Sequence, residues 1–125
     1  MPAYDSSFDP PAPVAVVRVI HPVSGRSSER TRGKLDYGAD ITVTPERVVS
    51  QLRLTSKGHC WVKGFEGSRA RKPVFYVRLR VDAFDIVMVR CVAAERDDVL
   101  LGRNVLNRFV ITLDGGILSY EMRPV

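Results

Sequence analysis

Apolar residues in this chain come in short, β-branched bursts separated by turn chemistry, not at the three-and-four spacing of long helices. Val14 to Ile20 reads Val-Ala-Val-Val-Arg-Val-Ile and predicts a strand. His21 to Arg26 supplies a turn between Pro22 and Gly25, and Ser27 to Asp36 is expected to return as a more polar antiparallel strand. Ile41 to Thr44 alternates and predicts a short strand. Thr44-Pro45-Glu46 then opens a helix of about two turns ending near Leu52, with Thr44 as N-cap, Pro45 in the first helical position and Glu46 at the positive end of the dipole. Arg53 to Cys60 is polar and turn-like around Gly58; Trp61 to Ser68 alternates apolar residues with two glycines and runs into a basic, exposed stretch ending at Pro73. Val74 to Val81 and Phe84 to Val92 flank Asp82-Ala83 as a hairpin. After the charged turn Arg96-Asp97-Asp98 and the apolar Val99-Leu100-Leu101, a short helix from Gly102 to Phe109 turns Val105, Leu106 and Phe109 inward and Asn104, Asn107 and Arg108 outward. Val110 to Leu113 and Ile117 to Met122 close as a hairpin around Asp114-Gly115-Gly116. Many short strands and no repeat at solenoid period give an all-β barrel or sandwich with one or two helical turns.

A chain of 125 residues is enough for one domain with a real core, and 45% hydrophobic against 26% charged residues excludes a disordered polymer. No apolar run approaches the roughly 18 residues of a membrane helix. Met1 to Pro13 has two aspartates and several prolines but no basic start or apolar h-region. It therefore reads as a flexible, Pro-rich leader (1–13) ahead of the folded domain (14–125), and the chain as cytoplasmic. The net charge of +5 is concentrated in Arg26, Arg30, Arg32 and Lys34 and again in Lys57, Lys63, Arg69, Arg71 and Lys72. No nucleic-acid motif accompanies them, so they read first as solvated loop charges, next as a sign of an anionic substrate, and only then as a nucleic-acid surface. Cys60 and Cys91 lack CxxC or Cys/His spacing, and His21 and His59 have no metal partner nearby in sequence. No metal or other cofactor is expected, and the cysteines read as reduced thiols.

Two segments carry candidate chemistry. Lys34-Leu35-Asp36-Tyr37-Gly38-Ala39-Asp40 places an acid, a glycine and a second acid behind an apolar residue. A glycine there lets the backbone turn sharply and leaves the preceding carboxylate unshielded. Much later, Val99-Leu100-Leu101-Gly102-Arg103-Asn104-Val105-Leu106 offers an apolar run, a glycine and a cation, a natural partner across a small core. Taken alone, Asp36 is equally readable as a turn aspartate bonding its own backbone amides.

In that order, and from about Val14 to Met122, the chain resembles the retropepsin-like aspartic proteases. Their active-site signature, Asp-Thr/Ser-Gly-Ala with a further Asp, is matched by Asp36-Tyr37-Gly38-Ala39-Asp40. Their second, two apolar residues before Gly-Arg-Asp/Asn, is matched by Leu100-Leu101-Gly102-Arg103-Asn104. The continuation from Val105 to Phe109 and the hairpin around Asp114-Gly115-Gly116 look like bacterial members. The resemblance implies a small closed β-barrel and a polypeptide substrate. It also implies a homodimer in which Asp36 from each copy forms the catalytic pair. By the same resemblance Gly38, Ala39, Asp40, Gly64 and Phe65 contact substrate, and the Trp61 to Tyr76 hairpin is a flap over it. Gly102, Arg103 and Tyr37 support the site, with Arg103 paired to Asp40. Tyr37 departs from the pattern, which has a small hydroxyl residue bonding across the dimer. A second function class therefore stands beside the peptidase: a barrel of the same fold that binds peptide without cleaving it.

Overall fold

Alternation in the sequence is realised as alternation of burial. In β1 (Val14–Ile20), Ala15, Val17 and Val19 point inward while Val16 and Arg18 face solvent, as the period-two geometry of a strand requires. The same rule sends Val77, Leu79 and Val81 of β5 (Arg69–Val81) and Val99 and Leu101 of β7 (Val99–Leu101) into one core. In β6 (Phe84–Ala94) the alternation slips at Met88, where φ is +60° and the register against β5 shifts, so that Ile86 and then Val89 and Cys91 reach that core. This computed structural model describes residues 2–64 and 66–125. Phe65, expected to contact substrate, lies outside the described residues.

Six strands close into a barrel. β1 pairs antiparallel with β2 (Thr31–Leu35) on one side and with β5 on the other. β5 continues to β6, β6 runs parallel to β3 (Thr42–Pro45), β3 meets β7 antiparallel, and β7 returns parallel to β2. Closure removes the open edges that a flat sheet of these strands would expose. β4 (His59–Lys63) stands outside the ring and, among the described residues, pairs with the Arg69–Pro73 end of β5 alone. The basic stretch ending at Pro73, expected as exposed chain, is therefore strand. A projecting two-stranded ribbon buries neither face deeply, so its sequence carries no clean alternation to mark it.

Two other expectations change. The second strand starts at Thr31, not Ser27. Ser28 breaks the ladder because its own Oγ accepts the Val19 N–H at 2.9 Å, where a backbone carbonyl would otherwise serve. The first helix, α1 (Glu46–Gln51), takes Pro45 as its N-cap and has no side-chain cap bond. Thr44 is fully buried in β3 opposite Ala93, so its hydroxyl cannot reach the helix end. The second helix, α2 (Arg103–Leu106), is one turn, and Val105 and Leu106 anchor it in the core.

β8 (Phe109–Asp114) and β9 (Ser119–Pro124) form a separate hairpin. Tyr120 locks it to the barrel: its ring is buried and its one hydroxyl proton is shared between the Val14 carbonyl at 3.1 Å and Asp82 Oδ2 at 3.3 Å. The segment read as a flexible leader is tied to the same hairpin and to β2. The Tyr4 N–H donates to the Leu118 carbonyl at 2.8 Å, the Tyr120 N–H to the Pro2 carbonyl at 3.0 Å, and Leu35 N–H to the Pro13 carbonyl at 3.1 Å. Phe8 lies beneath the cations of Arg32 and Lys34, which hold its ring at 5.4 and 4.9 Å. No helix among the described residues is long and apolar enough to cross a membrane.

Candidate active site

Leu35 of β2 and Leu101 of β7 lie side by side in a parallel pair, so the chain leaves both strands at the same end of the barrel. The Asp36 N–H donates to the Leu101 carbonyl at 3.0 Å, which makes Asp36 the last rung of that ladder. Beyond it the chain turns: the Ala39 N–H donates to the Asp36 carbonyl at 3.3 Å, and the Gly38 N–H to Asp36 Oδ1 at 2.8 Å. A Cβ on Gly38 would lie 3.0 Å from Asp36 Oδ1, a close approach that glycine avoids. Asp36 is half-buried, and its second oxygen accepts no hydrogen bond from the described residues.

The support beneath this turn is steric as well as polar. A Cβ on Gly102 would lie 2.6 Å from the Ile41 carbonyl carbon and 2.7 Å from its oxygen, so β7 can cross the entry to β3 only through glycine. Thr42, fully buried, accepts the Gly102 N–H at 3.2 Å and donates to Asn104 Oδ1 at 2.8 Å. The Asn104 amide in turn donates to the Arg90 carbonyl at 2.8 Å. One hydroxyl and one amide thus join β3, α2 and β6 behind the Asp36 turn.

Arg103 supports the turn by a route other than the expected one. Its guanidinium donates to the Tyr37 carbonyl at 2.6 Å, and its N–H donates to the Ala39 carbonyl at 2.8 Å. The ion pairs among the described residues are Arg32–Asp5, Arg32–Asp98 and Arg80–Asp85, so Asp40 does not pair with Arg103. Two outward carbonyls on the turn offer Arg103 acceptors nearer its own helix, and Asp40 is left exposed to solvent. The Tyr37 side chain is 44% exposed, its ring standing on the surface of the turn rather than in the core.

Asp40 and Ile41 form one wall of a cavity of about 430 Å³. Cys60, Trp61, Val62 and Lys63 of β4, Gly67, Arg69 and Arg90 supply the rest, while Asp36 and Gly38 do not line it. The tip of the β4–β5 hairpin is closed by Gly64 N–H to the Ser68 carbonyl at 2.7 Å and by Gly67 N–H to the Gly64 carbonyl at 2.9 Å. Gly67 holds φ at +87°, where a side chain would be strained. No group of three or more His, Cys, Asp or Glu side chains converges as a metal site among the described residues.

No family model and no curated protein matches the sequence. Solved structures do match the fold. The solution structure of the Simian Foamy Virus (mac) protease superposes with a TM-score of 0.56 at 18% identity, covering 76% of this chain and 92% of that one. A foamy viral protease-reverse transcriptase, solved with an RNA/DNA hybrid, gives 0.56 at 15% identity over 89% of this chain and 12% of its own. The fold is that of the retropepsin-like aspartic proteases. Within the retropepsin-like barrel the sequence brings Asp36, Tyr37, Gly38 and Ala39 together with Gly102 and Arg103, and sets Asp40 and Gly64 apart, on the walls and tip of the neighbouring hairpin space. Sequence reading passed over Thr42 and Arg90. Thr42 carried a signal, since a hydroxyl at an inward strand position must find a partner. Arg90, on an exposed strand position, carried none.

Proposed function

We propose that this chain is a retropepsin-type aspartic endopeptidase, active as a homodimer in which Asp36 of each copy meets its twin at a two-fold axis. The observation that supports it most is the state of the Asp36 carboxylate. One oxygen is fixed by the Gly38 N–H, and the other accepts no hydrogen bond from the described residues, at the surface of a turn pinned to β7 and α2. A single carboxylate so presented is half of an acid–base site. A second one about 3 Å away cannot ionise at the same time, so the two share a proton. The ionised partner then takes a proton from water as it attacks the scissile carbonyl, and the protonated partner hydrogen-bonds the carbonyl oxygen. Gly38 and Ala39 would offer backbone to an extended peptide. The β4–β5 hairpin, with Gly64 and Gly67 at its tip, would act as the flap that excludes water.

The test is digestion of an unfolded polypeptide over a series from about pH 4 to about pH 7, since the pair works only while it shares a single proton. Cleavage by the native chain and its loss in Asp36→Asn are expected; equal cleavage by both would remove Asp36 from the mechanism. The exposed Tyr37 ring favours a second reading, a peptide-binding barrel whose turns cannot meet. A monomer in sedimentation at micromolar concentration, with Tyr37→Thr gaining both dimer and cleavage, would establish that reading instead.

A further inference from the structure

Lys63, Arg69 and Arg90 converge on the cavity beside the Asp36 turn, against the single carboxylate of Asp40. None of the three cations takes part in an ion pair among the described residues. The acid nearest in sequence, Glu66, is already committed: its Oε1 accepts the Ser68 hydroxyl at 2.6 Å, which holds its carboxyl below the usual range. Lys63 and Arg69 are directly opposed across the β4–β5 ladder, where like charges repel unless an anion lies between or above them. Arg69 also stacks over Trp61, its guanidinium carbon 5.6 Å from the ring centre, which fixes that charge at the cavity mouth. The space, about 430 Å³, is the size of a small-molecule cleft and admits an acidic side chain with its flanking peptide but not a folded domain. We infer that this cavity is a specificity pocket for an acidic side chain, Glu or Asp, of an extended peptide lying across the Asp36 turn. This rests on the peptidase reading for its substrate class, and the test is chosen to separate the two.

Trp61 lines the pocket and is the chain's one tryptophan, so its emission reports occupancy without any need for turnover. The experiment titrates the Asp36→Asn protein with short extended peptides of one parent sequence, in which Glu or Gln is placed at each position in turn. At one position Glu should bind about tenfold more tightly than Gln, the scale expected for charge-assisted bonds in a partly enclosed site. Arg90→Gln, which keeps the backbone carbonyl that Asn104 uses, should cut that preference about fivefold, and added salt should weaken it. Glu and Gln peptides of equal affinity at every position would overturn the inference. So would a single-stranded oligonucleotide binding more tightly than the best Glu peptide, which would mark the cations as a polynucleotide surface. A selective pocket in a chain that cleaves nothing would overturn the peptidase reading alone.

Discussion

At Gly102 the chain leaving β7 runs against the Ile41 backbone, and a methyl group there meets main-chain atoms that no rotamer change can move. Gly102→Ala should therefore cost about 3 kcal/mol or more, the upper part of the range for overpacking. Gly115→Ala, where a Cβ meets nothing within 4 Å, should be close to neutral. Denaturant midpoints at an unchanged m-value would show the difference, and equal midpoints would remove Gly102 from the frame of the site. Residue patterns made this frame legible in part. The Gly38 and Gly102 turns were readable because one glycine lies midway between two acids, Asp36 and Asp40, and the other directly precedes a cation, Arg103. The partner of Arg103 was not readable, because a backbone carbonyl leaves no trace in a sequence while an acid four residues on does. The Tyr37 ring was visible as a departure from the family pattern, but its place on the surface depends on packing that spacing does not encode.

Among the elements, the barrel strands were the most legible, since each buries one face and so writes a period of two into its sequence. The β4–β5 ribbon was least legible at its basic end, where neither face is core. The packing of β6 within the barrel and of the terminal hairpin against it can be tested by pH. Burial pushes the Cys91 thiol up to about 11 from an ordinary value of 9.0, with the adjacent Thr44 hydroxyl opposing the shift weakly. Burial, then the neighbouring Asp82 charge, raises the Tyr120 phenol above its ordinary value as well. In both cases the folded state holds the proton longer than the unfolded chain does. The stabilisation is thus complete below about pH 9 and is lost as pH rises through the folded values, by roughly 2–3 kcal/mol for Cys91. Denaturation midpoints should fall as the pH is raised from about 9 toward about 11, and fall less in Cys91→Val, which cannot ionise. A parallel drop in both proteins would assign the alkaline loss to other groups.

For the whole molecule, a closed barrel presents one acidic turn at one end, and the chemistry proposed for that turn needs two. The cavity beside it is walled by Asp40 and the hairpin but not by Asp36. Everything catalytic in this account therefore depends on whether Asp36 works in pairs. Mixing decides it directly: native chain is combined with equal Asp36→Asn chain, allowed to exchange, and assayed for cleavage of an unfolded polypeptide. If each centre takes one Asp36 from each copy, activity falls to about a quarter of that of the same total of native chain, because only native–native dimers retain the shared-proton pair. Activity of about a half, in simple proportion to the native chain present, would show that each copy acts alone and would contradict the dimeric dyad.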